Sequence, residues 1–484
     1  MSTTAQTSAG RRLEALLDDS SFVEIGGYVT ARNTDFNMQK KETPADGVIT
    51  GYGLIDGSLV YVYSQDVTVM NGSMGEMHAK KIANIYKMAI KMGAPVIGFV
   101  DCSGLRLQEA TDALNGFGEV YMAQAMASGV IPQITAIFGV CGGGMAVVPA
   151  LADFTFMEEK KAKLFVNSPN ALEGNYTEKN NTASAKFASE ESGLVDVVGD
   201  EDTLIAKIRE LVTVLPANNE EDLSYTECTD DLNRVCAGLE NGADDAGYVL
   251  STISDSGFFY ELKASYAKNM VTGFIRLNGQ TIGAVANRSV ILGEDGEAAE
   301  KFDSALTVEG CEKAAEFVNF CDSFQIPVLS LVNVKGYAAT IAEEKKMAKA
   351  VAKLTYSFAS ATVPKVSVVT GEAYGSAYLT MNSKSIGADI VYAWPEASIG
   401  MMDAQAAAKI MYADEIKGAS DANALIAEKA AEYGELQSSA QAAARRGYVD
   451  DIIEAQDSRK YIIGAFEMLF TKREDRPVKK HGCV

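Results

Sequence analysis

Twice along this chain an apolar strand runs into a glycine turn and then a helix, first in AIFGVCGGGMAVVPAL and again in SVVTGEAYGSAYLTM. Glycine admits positive φ and close backbone approach, and the first N–H groups of a helix lack an internal acceptor, so such a turn can hold a developing oxyanion. Removing one oxyanion donor typically costs about 2.7–4 kcal/mol of transition-state stabilisation, so backbone amides can carry catalysis with little side-chain help. For a single turn the plainer reading is tight packing of helix on strand. Two turns in register argue for chemistry. The chain holds 2 histidines, His78 and His481, and its 7 cysteines form no CxxC pair. That composition argues against histidine-based metal sites and Ser-His-Asp catalysis and predicts free, mostly buried thiols.

The turns belong to a longer repetition. Thr50-Gly51-Tyr52 and Asp56-Gly57 recur as Thr272-Gly273-Phe274 and Asn278-Gly279 at an offset of 222 residues. From Pro95-Val96 and Pro327-Val328 onward the offset is 232, which sets Cys141-Gly142-Gly143-Gly144 on Ala373-Tyr374-Gly375-Ser376. Each copy closes on Gly-x-Val-Asp, at Gly193–Asp196 and Gly447–Asp450. This period is far beyond that of a solenoid, roughly 20–50 residues, and predicts two homologous domains. We place them at residues 1–230 and 231–484, with the acidic segment 216–246 at their junction. In each copy a hairpin marked by Asp-Gly or Asn-Gly precedes an amphipathic helix, and buried-type strands alternate with helices thereafter. Continuous apolar strands separated by helices predict an α/β fold with a largely parallel sheet. Residues 402–446 and the segment YIIGAFEMLF read as helix, and residues 173–190 as a polar surface segment.

With 47% hydrophobic and 22% charged residues the chain has the balance of a globular protein, and its net charge of −22 argues against nucleic acid and anionic membrane surfaces as partners. It shows neither an apolar run of membrane-spanning length nor a signal-peptide pattern, so a cytoplasmic location is expected.

Four segments carry a resemblance. Gly72-Ser73-Met74-Gly75-Glu76-Met77-His78-Ala79-Lys80-Lys81, Asp101-Cys102-Ser103-Gly104-Leu105-Arg106-Leu107-Gln108-Glu109, Ser128-Gly129-Val130-Ile131-Pro132-Gln133 and Ala373-Tyr374-Gly375-Ser376-Ala377-Tyr378 resemble signature segments of the biotin-dependent acyl-CoA carboxyltransferases. That family includes propionyl-CoA carboxylase β subunits, methylmalonyl-CoA decarboxylase α subunits and the transcarboxylase 12S subunit. The resemblance extends over residues 11–475 and rests on several long motifs in the family's order.

The resemblance implies a tandem duplication of crotonase-like domains, each with an oxyanion hole, in a hexamer built as a trimer of dimers. It implies an active site between the first domain of one subunit and the second domain of another. Gly143 and Gly144 would form the hole for the enolate of an acyl-CoA thioester. Ser376, with Gly375 or Ala377, would form the hole for the ureido carbonyl of biotin. Carboxyl would pass between biotin and the α-carbon of a short acyl-CoA, propionyl-CoA or methylmalonyl-CoA being favoured. Biotin would ride on a separate biotin carboxyl carrier protein. Ala89-Ile90-Lys91-Met92 imitates a biotinylation sequence but reads as the end of a helix rather than the exposed tip of a hairpin. A biotin carboxylase or a membrane decarboxylase subunit would complete the complex, the latter bringing the chain to the membrane periphery. Lys80, Lys81 and Arg106 are candidates for the CoA phosphates, His78 for lining the site or for a structural hydrogen bond, and Leu379 for the acyl pocket. Two departures from the family pattern fall in the second copy: Asn333-Val334-Lys335-Gly336-Tyr337-Ala338-Ala339 replaces an Asp-x-Pro-Gly-Phe segment, and Ser376 replaces a glycine. A biotin-independent hydratase or isomerase using Glu109 and Glu119, and a non-catalytic scaffold, are the rival readings.

Overall fold

A computed structural model describes residues 7–32, 36, 38, 41–175, 180–221, 226–293 and 295–475. His481 and Cys483, and parts of the 173–190 and 216–246 segments, lie outside the described residues. The chain divides into two compact units, Met1–Ser224 and Tyr225–Val484.

The first unit holds β1 (Val23–Glu24), β2 (Val48–Ile55), β3 (Ser58–Gln65), β4 (Val96–Cys102), β5 (Gln133–Gly142), β6 (Phe154–Glu158), β7 (Lys163–Phe165) and β8 (Val197–Gly199). Its helices are α1 (Ser8–Leu16), α2 (Glu76–Met92), α3 (Ala110–Ala127), α4 (Val147–Leu151) and α5 (Glu201–Val212). The sheet runs β1-β2-β3-β4-β5-β6-β8, with β7 beside the end of β5; pairing is antiparallel up to β3 and parallel beyond it.

The second unit repeats this plan. Its strands are β9 (Phe259–Leu262), β10 (Met270–Leu277), β11 (Gln280–Asn287), β12 (Val290–Leu292), β13 (Ala298–Lys301), β14 (Val328–Val334), β15 (Lys365–Tyr374), β16 (Ile390–Ala393), β17 (Ser398–Gly400) and β18 (Asp451–Ile452). The helices are α6 (Ala246–Ile253), α7 (Val308–Ser323), α8 (Ile341–Ser360), α9 (Gly375–Thr380), α10 (Ala404–Met411), α11 (Ala413–Gly418), α12 (Ala422–Tyr433), α13 (Ala440–Arg445) and α14 (Ser458–Leu469). The sheet order is β9-β10-β11-β14-β15-β16-β18, with β17 beside the end of β15. The β12–β13 ribbon stands apart from this sheet, and it falls where the repeat offset steps from 222 to 232.

Local chemistry explains the shared path. Asp56-Gly57 and Asn278-Gly279 take positive φ at both positions (47° and 81°, 52° and 74°), the two-residue turn whose twist suits a hairpin. Helix α2 buries Ile82, Ile85, Tyr86 and Ala89 on one face and stops at Gly93, whose φ is 62°. Helix α7 starts at Thr307, whose side chain accepts from the Gly310 amide, and buries Ala314, Val318 and Cys321. The Gly-x-Val-Asp tails are clamps on strand starts. Asp196 exchanges two hydrogen bonds with Thr155 (2.7 and 2.8 Å), and Asp450 does so with Val391 (2.8 and 2.8 Å). The six described cysteines are free; five are buried and Cys228 is half-buried.

In both units a side chain from one central strand braces the next. Asp101 Oδ1 accepts the Val140 amide at 3.2 Å while its own amide donates to Gln65 Oε1 at 3.1 Å. Asn333 Oδ1 accepts the Glu372 amide at 3.0 Å, and its amide donates to Asn287 Oδ1 at 3.2 Å. The brace fits because the residue it crosses is glycine: a Cβ on Gly139 would stand 2.0 Å from Asp101 Oδ1, and one on Gly371 2.7 Å from Asn333 Oδ1. Gly139→Ala is expected to destabilise by about 1–3 kcal/mol through overpacking, with Gly371→Ala milder, as measured by urea unfolding. Equal stability of Gly139→Ala and the unaltered chain would contradict the brace.

Candidate active site

Strand β5 releases the chain at Gly142 into Gly143, whose φ of 62° belongs to the left-handed region, and a tight turn over Gly143–Ala146 leads into α4. A side chain at Gly143 would meet nothing within 4 Å, so the turn opens on free space. The wall on the other side is built from α3. Tyr121 Oη donates to the Gly144 carbonyl at 2.5 Å, and Phe117 and Tyr121 stand edge to face at 6.1 Å. A Cβ on Gly144 would lie 3.0 Å from Tyr121 Oη, so a side chain here would press on the Tyr121 ring and its bond to the turn. The amides of Gly143, Gly144 and Met145 begin the turn and have no acceptor within it.

The second turn repeats the first. Strand β15 ends at Tyr374, Gly375 takes φ 61°, and α9 begins there. The amides of Gly375, Ser376 and Ala377 lie in its first turn, where no intrahelical acceptor exists. Ala377 is buried, and Ser376 is exposed. Ser376 Oγ accepts from Tyr337 Oη at 2.9 Å. Gly375, Ser376 and Leu379 open on a cavity of about 1020 Å³ whose walls include Ile399, Met401, Tyr412 and Leu436.

The carboxyl transferase domain model matches residues 5–484. The chain belongs to the carboxyl transferase family. It is 40% identical over 489 residues to the methylmalonyl-CoA decarboxylase α subunit of Propionigenium modestum, covering 99% of this chain and 93% of that one. It is equally 40% identical over 489 residues to the propionyl-CoA carboxylase carboxyltransferase subunit of Haloferax mediterranei, with the same coverage of 99% and 93%. The solved structure of transcarboxylase 12S, a hexamer with hydrolysed methylmalonyl-coenzyme A bound, superposes with a TM-score of 0.91 at 39% identity, over 99% of this chain and 93% of that one.

This carboxyltransferase treats its predicted cations differently from the sequence-based expectation. Arg106, expected at a CoA phosphate, is engaged inside the first unit. Its side chain is fully buried, donating to Asp46 Oδ1 at 2.5 Å, Glu109 Oε1 at 2.8 Å and the Ser73 carbonyl at 2.9 Å. Glu109 Oε2 in turn accepts the first amide of α2, from Glu76, at 2.7 Å. Lys81 is likewise enclosed, its Nζ donating to the carbonyls of Ala45 (2.8 Å) and Val48 (2.5 Å). Lys313 does the same in the second unit, with the carbonyls of Lys263 and Tyr266 at 2.8 Å each. His78 is also buried. Its Nδ1 lies 2.9 Å from the Asp46 carbonyl, which can only accept, so Nδ1–H donates there and Nε2 takes the Gln65 amide at 3.1 Å. Burial, followed by the charges of Arg106 and Lys81, pushes His78 well below its ordinary pKa and keeps it neutral. Sequence spacing could not separate these three from surface residues, because apart from Glu109, three residues from Arg106, the partners that enclose them are remote in the chain. Lys80 remains exposed, paired with Glu76 at 2.6 Å.

The altered loop of the second unit keeps the backbone path of the first. Met74 N donates to the Gly104 carbonyl and Arg106 N to Met74; Leu306 N donates to Gly336 and Ala338 N to Leu306, all at 2.8–3.0 Å. Ala338 therefore stands where Arg106 does, without its ion pairs. Tyr121 and Tyr337 were missed by the sequence reading, since a tyrosine in a helix or loop carries no signal that its hydroxyl reaches a turn.

Arg106→Met should destabilise by about 3–5 kcal/mol, because it leaves two buried carboxylates uncompensated. A stable variant with a raised KM for a CoA substrate would instead return Arg106 to phosphate binding. Burial also lowers Lys81 from 10.5 to about 8. Between those values the folded chain has released a proton that the unfolded chain keeps, so this residue's contribution to stability rises with pH across the window. The stability lost in Lys81→Met should therefore be greater at pH 10 than at pH 7, on the order of 2 kcal/mol, in paired denaturation curves. A difference that does not change with pH would refute it.

Proposed function

We propose that the carboxyltransferase moves a carboxyl group between the α-carbon of methylmalonyl-CoA or propionyl-CoA and biotin borne on a separate carrier protein, within a homo-oligomer. The duplicated left-handed glycine turn carries this reading, because the reaction needs an anion held on each of two carbonyl-bearing partners. The first turn receives the thioester oxygen. Its amides at Gly143 and Gly144 stabilise the charge that reaches that oxygen when the α-carbon gains or loses carboxyl. The Tyr121 bond to the Gly144 carbonyl holds the Gly144–Met145 peptide plane, the unit that follows those amides, and so steadies the turn. Lys80 is the exposed cation suited to a CoA phosphate.

The second turn suits biotin. Apolar walls at Leu379, Ile399, Met401 and Leu436 match a small bicycle, and the amide of Ser376, with that of Gly375 or Ala377, matches its one carbonyl. When bound, biotin supplies the nitrogen that gives or takes the carboxyl group. Leu379, 41% exposed at the cavity wall, also suits a short alkyl group. Helix α2 contains Lys91 in its last turn, a place unlike the hairpin tip of a carrier domain, which supports a separate carrier. The carrier's own partner, a biotin carboxylase or a membrane decarboxylase subunit, sets the direction of the reaction. No described helix is long and apolar enough to cross a membrane, so we assign any membrane contact to that partner. A hexamer, as in transcarboxylase 12S, is the proposed assembly.

A hydratase would need two free carboxylates beside one turn. Glu109 is committed to Arg106 and to the start of α2, while Glu119 lies on the exposed face of α3. The test is biotin-dependent decarboxylation of methylmalonyl-CoA by the purified chain, alongside Gly143→Val. The unaltered chain should turn over and carry no covalent biotin by intact mass. Gly143→Val, strained at φ 62° and filling the open side of the turn, should lose about 100-fold or more in kcat. No turnover with any acyl-CoA, or crotonyl-CoA hydration without biotin, would sink the reading.

A further inference from the structure

The two turns differ at one pair of positions. At the repeat offset of 232, Gly144 corresponds to Ser376 and Leu105 to Tyr337. The correspondence is structural as well, since Met74 bridges Leu105 just as Leu306 bridges Tyr337. The first unit has no hydroxyl at either place. The second has one at both, and they are hydrogen-bonded to each other at 2.9 Å. Tyr337 is the donor. A serine oxygen that accepts a hydrogen bond still has its own proton to give, and no described residue takes that proton.

Ser376 is exposed and lines the same cavity as Gly375. An exposed serine samples three χ1 wells, and the bond from Tyr337 selects among them. We propose that the Ser376 hydroxyl is a third hydrogen-bond donor to the carbonyl oxygen held at the second turn, and that Tyr337 is its positioning residue. The inference rests on the carboxyltransferase reading above and deepens it. The ligand group is a carbonyl whose oxygen gains negative charge during transfer, which under that reading is the ureido carbonyl of biotin. Two amides suffice at the first turn, where Tyr121 crowds the position that a side chain at Gly144 would take. At the second turn the added hydroxyl strengthens the hold on an oxygen that is a weaker acceptor of charge than a thioester enolate. Burial raises the Tyr337 pKa, so its hydroxyl stays protonated and able to donate throughout the neutral range.

The experiment measures carboxyl transfer from methylmalonyl-CoA to free biotin by the full chain and by Ser376→Gly, Tyr337→Phe and the double variant. Ser376→Gly copies the first turn, and Tyr337→Phe is nearly isosteric, so both should fold with unchanged Tm. Ser376→Gly should lower kcat about 10-fold to 100-fold, with the KM for methylmalonyl-CoA unchanged. Tyr337→Phe should lower kcat by a smaller factor. The double variant should be no slower than Ser376→Gly within about 2-fold, because the tyrosine acts through the serine. Full activity of Ser376→Gly, or a double variant as slow as the product of the two single losses, overturns the proposal while leaving the carboxyltransferase reading intact. Absence of transfer by the unaltered chain overturns both.

Discussion

A parallel strand that must end in a left-handed glycine needs its last residues held, or the turn beyond it has no defined direction. In each unit that hold comes from one side-chain oxygen reaching across from the neighbouring strand, Asp101 to the Val140 amide and Asn333 to the Glu372 amide. Much else follows from this reach. It requires glycine at 139 and 371, where a Cβ would collide. It also ties the turn to the hairpin strand through Gln65 and Asn287, each of which accepts the bracing residue's own amide. The brace uses only one acceptor oxygen, so asparagine can take the aspartate's part in the second unit, where its Nδ2 also donates to Asp244 Oδ1 at 3.0 Å. That is why the loop from Asn333 to Ala339 departs from the family pattern without displacing Gly375.

The two units support the same backbone with different electrostatics. The first buries Arg106 between Asp46 and Glu109 and adds His78 and Gln65 in a continuous network that reaches Asp101. Burial raises the Asp46 pKa, and the charge and hydrogen bond of Arg106 oppose that rise. The second unit has Ala338 at the arginine's place and caps α7 with Glu343 from the following helix, which accepts the Val308 amide at 2.7 Å. What both retain is the enclosed lysine. Lys81 and Lys313 each join two carbonyls of the segment before the hairpin, satisfying acceptors that helix α2 or α7 would otherwise seal from water. Ion pairs are the variable part of this architecture and backbone satisfaction the constant part.

Much of this arrangement could be read along the chain, because it rests on interactions between near neighbours. Asp56-Gly57 and Asn278-Gly279 can hardly be anything but hairpin turns, and the apolar spacing of α2 and α7 marks their buried faces. Gly143 and Gly375 announced themselves by falling at matching places after matching strands. Backbone conformation is set within a few residues, so glycine placement and periodicity carry it. The duplication added a second reading of every element and so separated signal from accident.

Side-chain destinations were decided elsewhere. Arg106, Lys81 and His78 have the composition of an anion site and the burial of a core, and only Arg106 has an ion-pair partner close by in the chain, Glu109. Their remote partners come chiefly from residues 45–48 and from β3, brought near only when the sheet closes over α2. The hydroxyls of Tyr121 and Tyr337 reach the turns from an α3 face and from a loop, distances set by helix and strand packing. A charge or hydroxyl acts through whatever lies within about 3 Å of it, and that neighbourhood is a property of the assembled layers. The turns were therefore legible in one dimension, while the groups that aim and enclose them existed only in three.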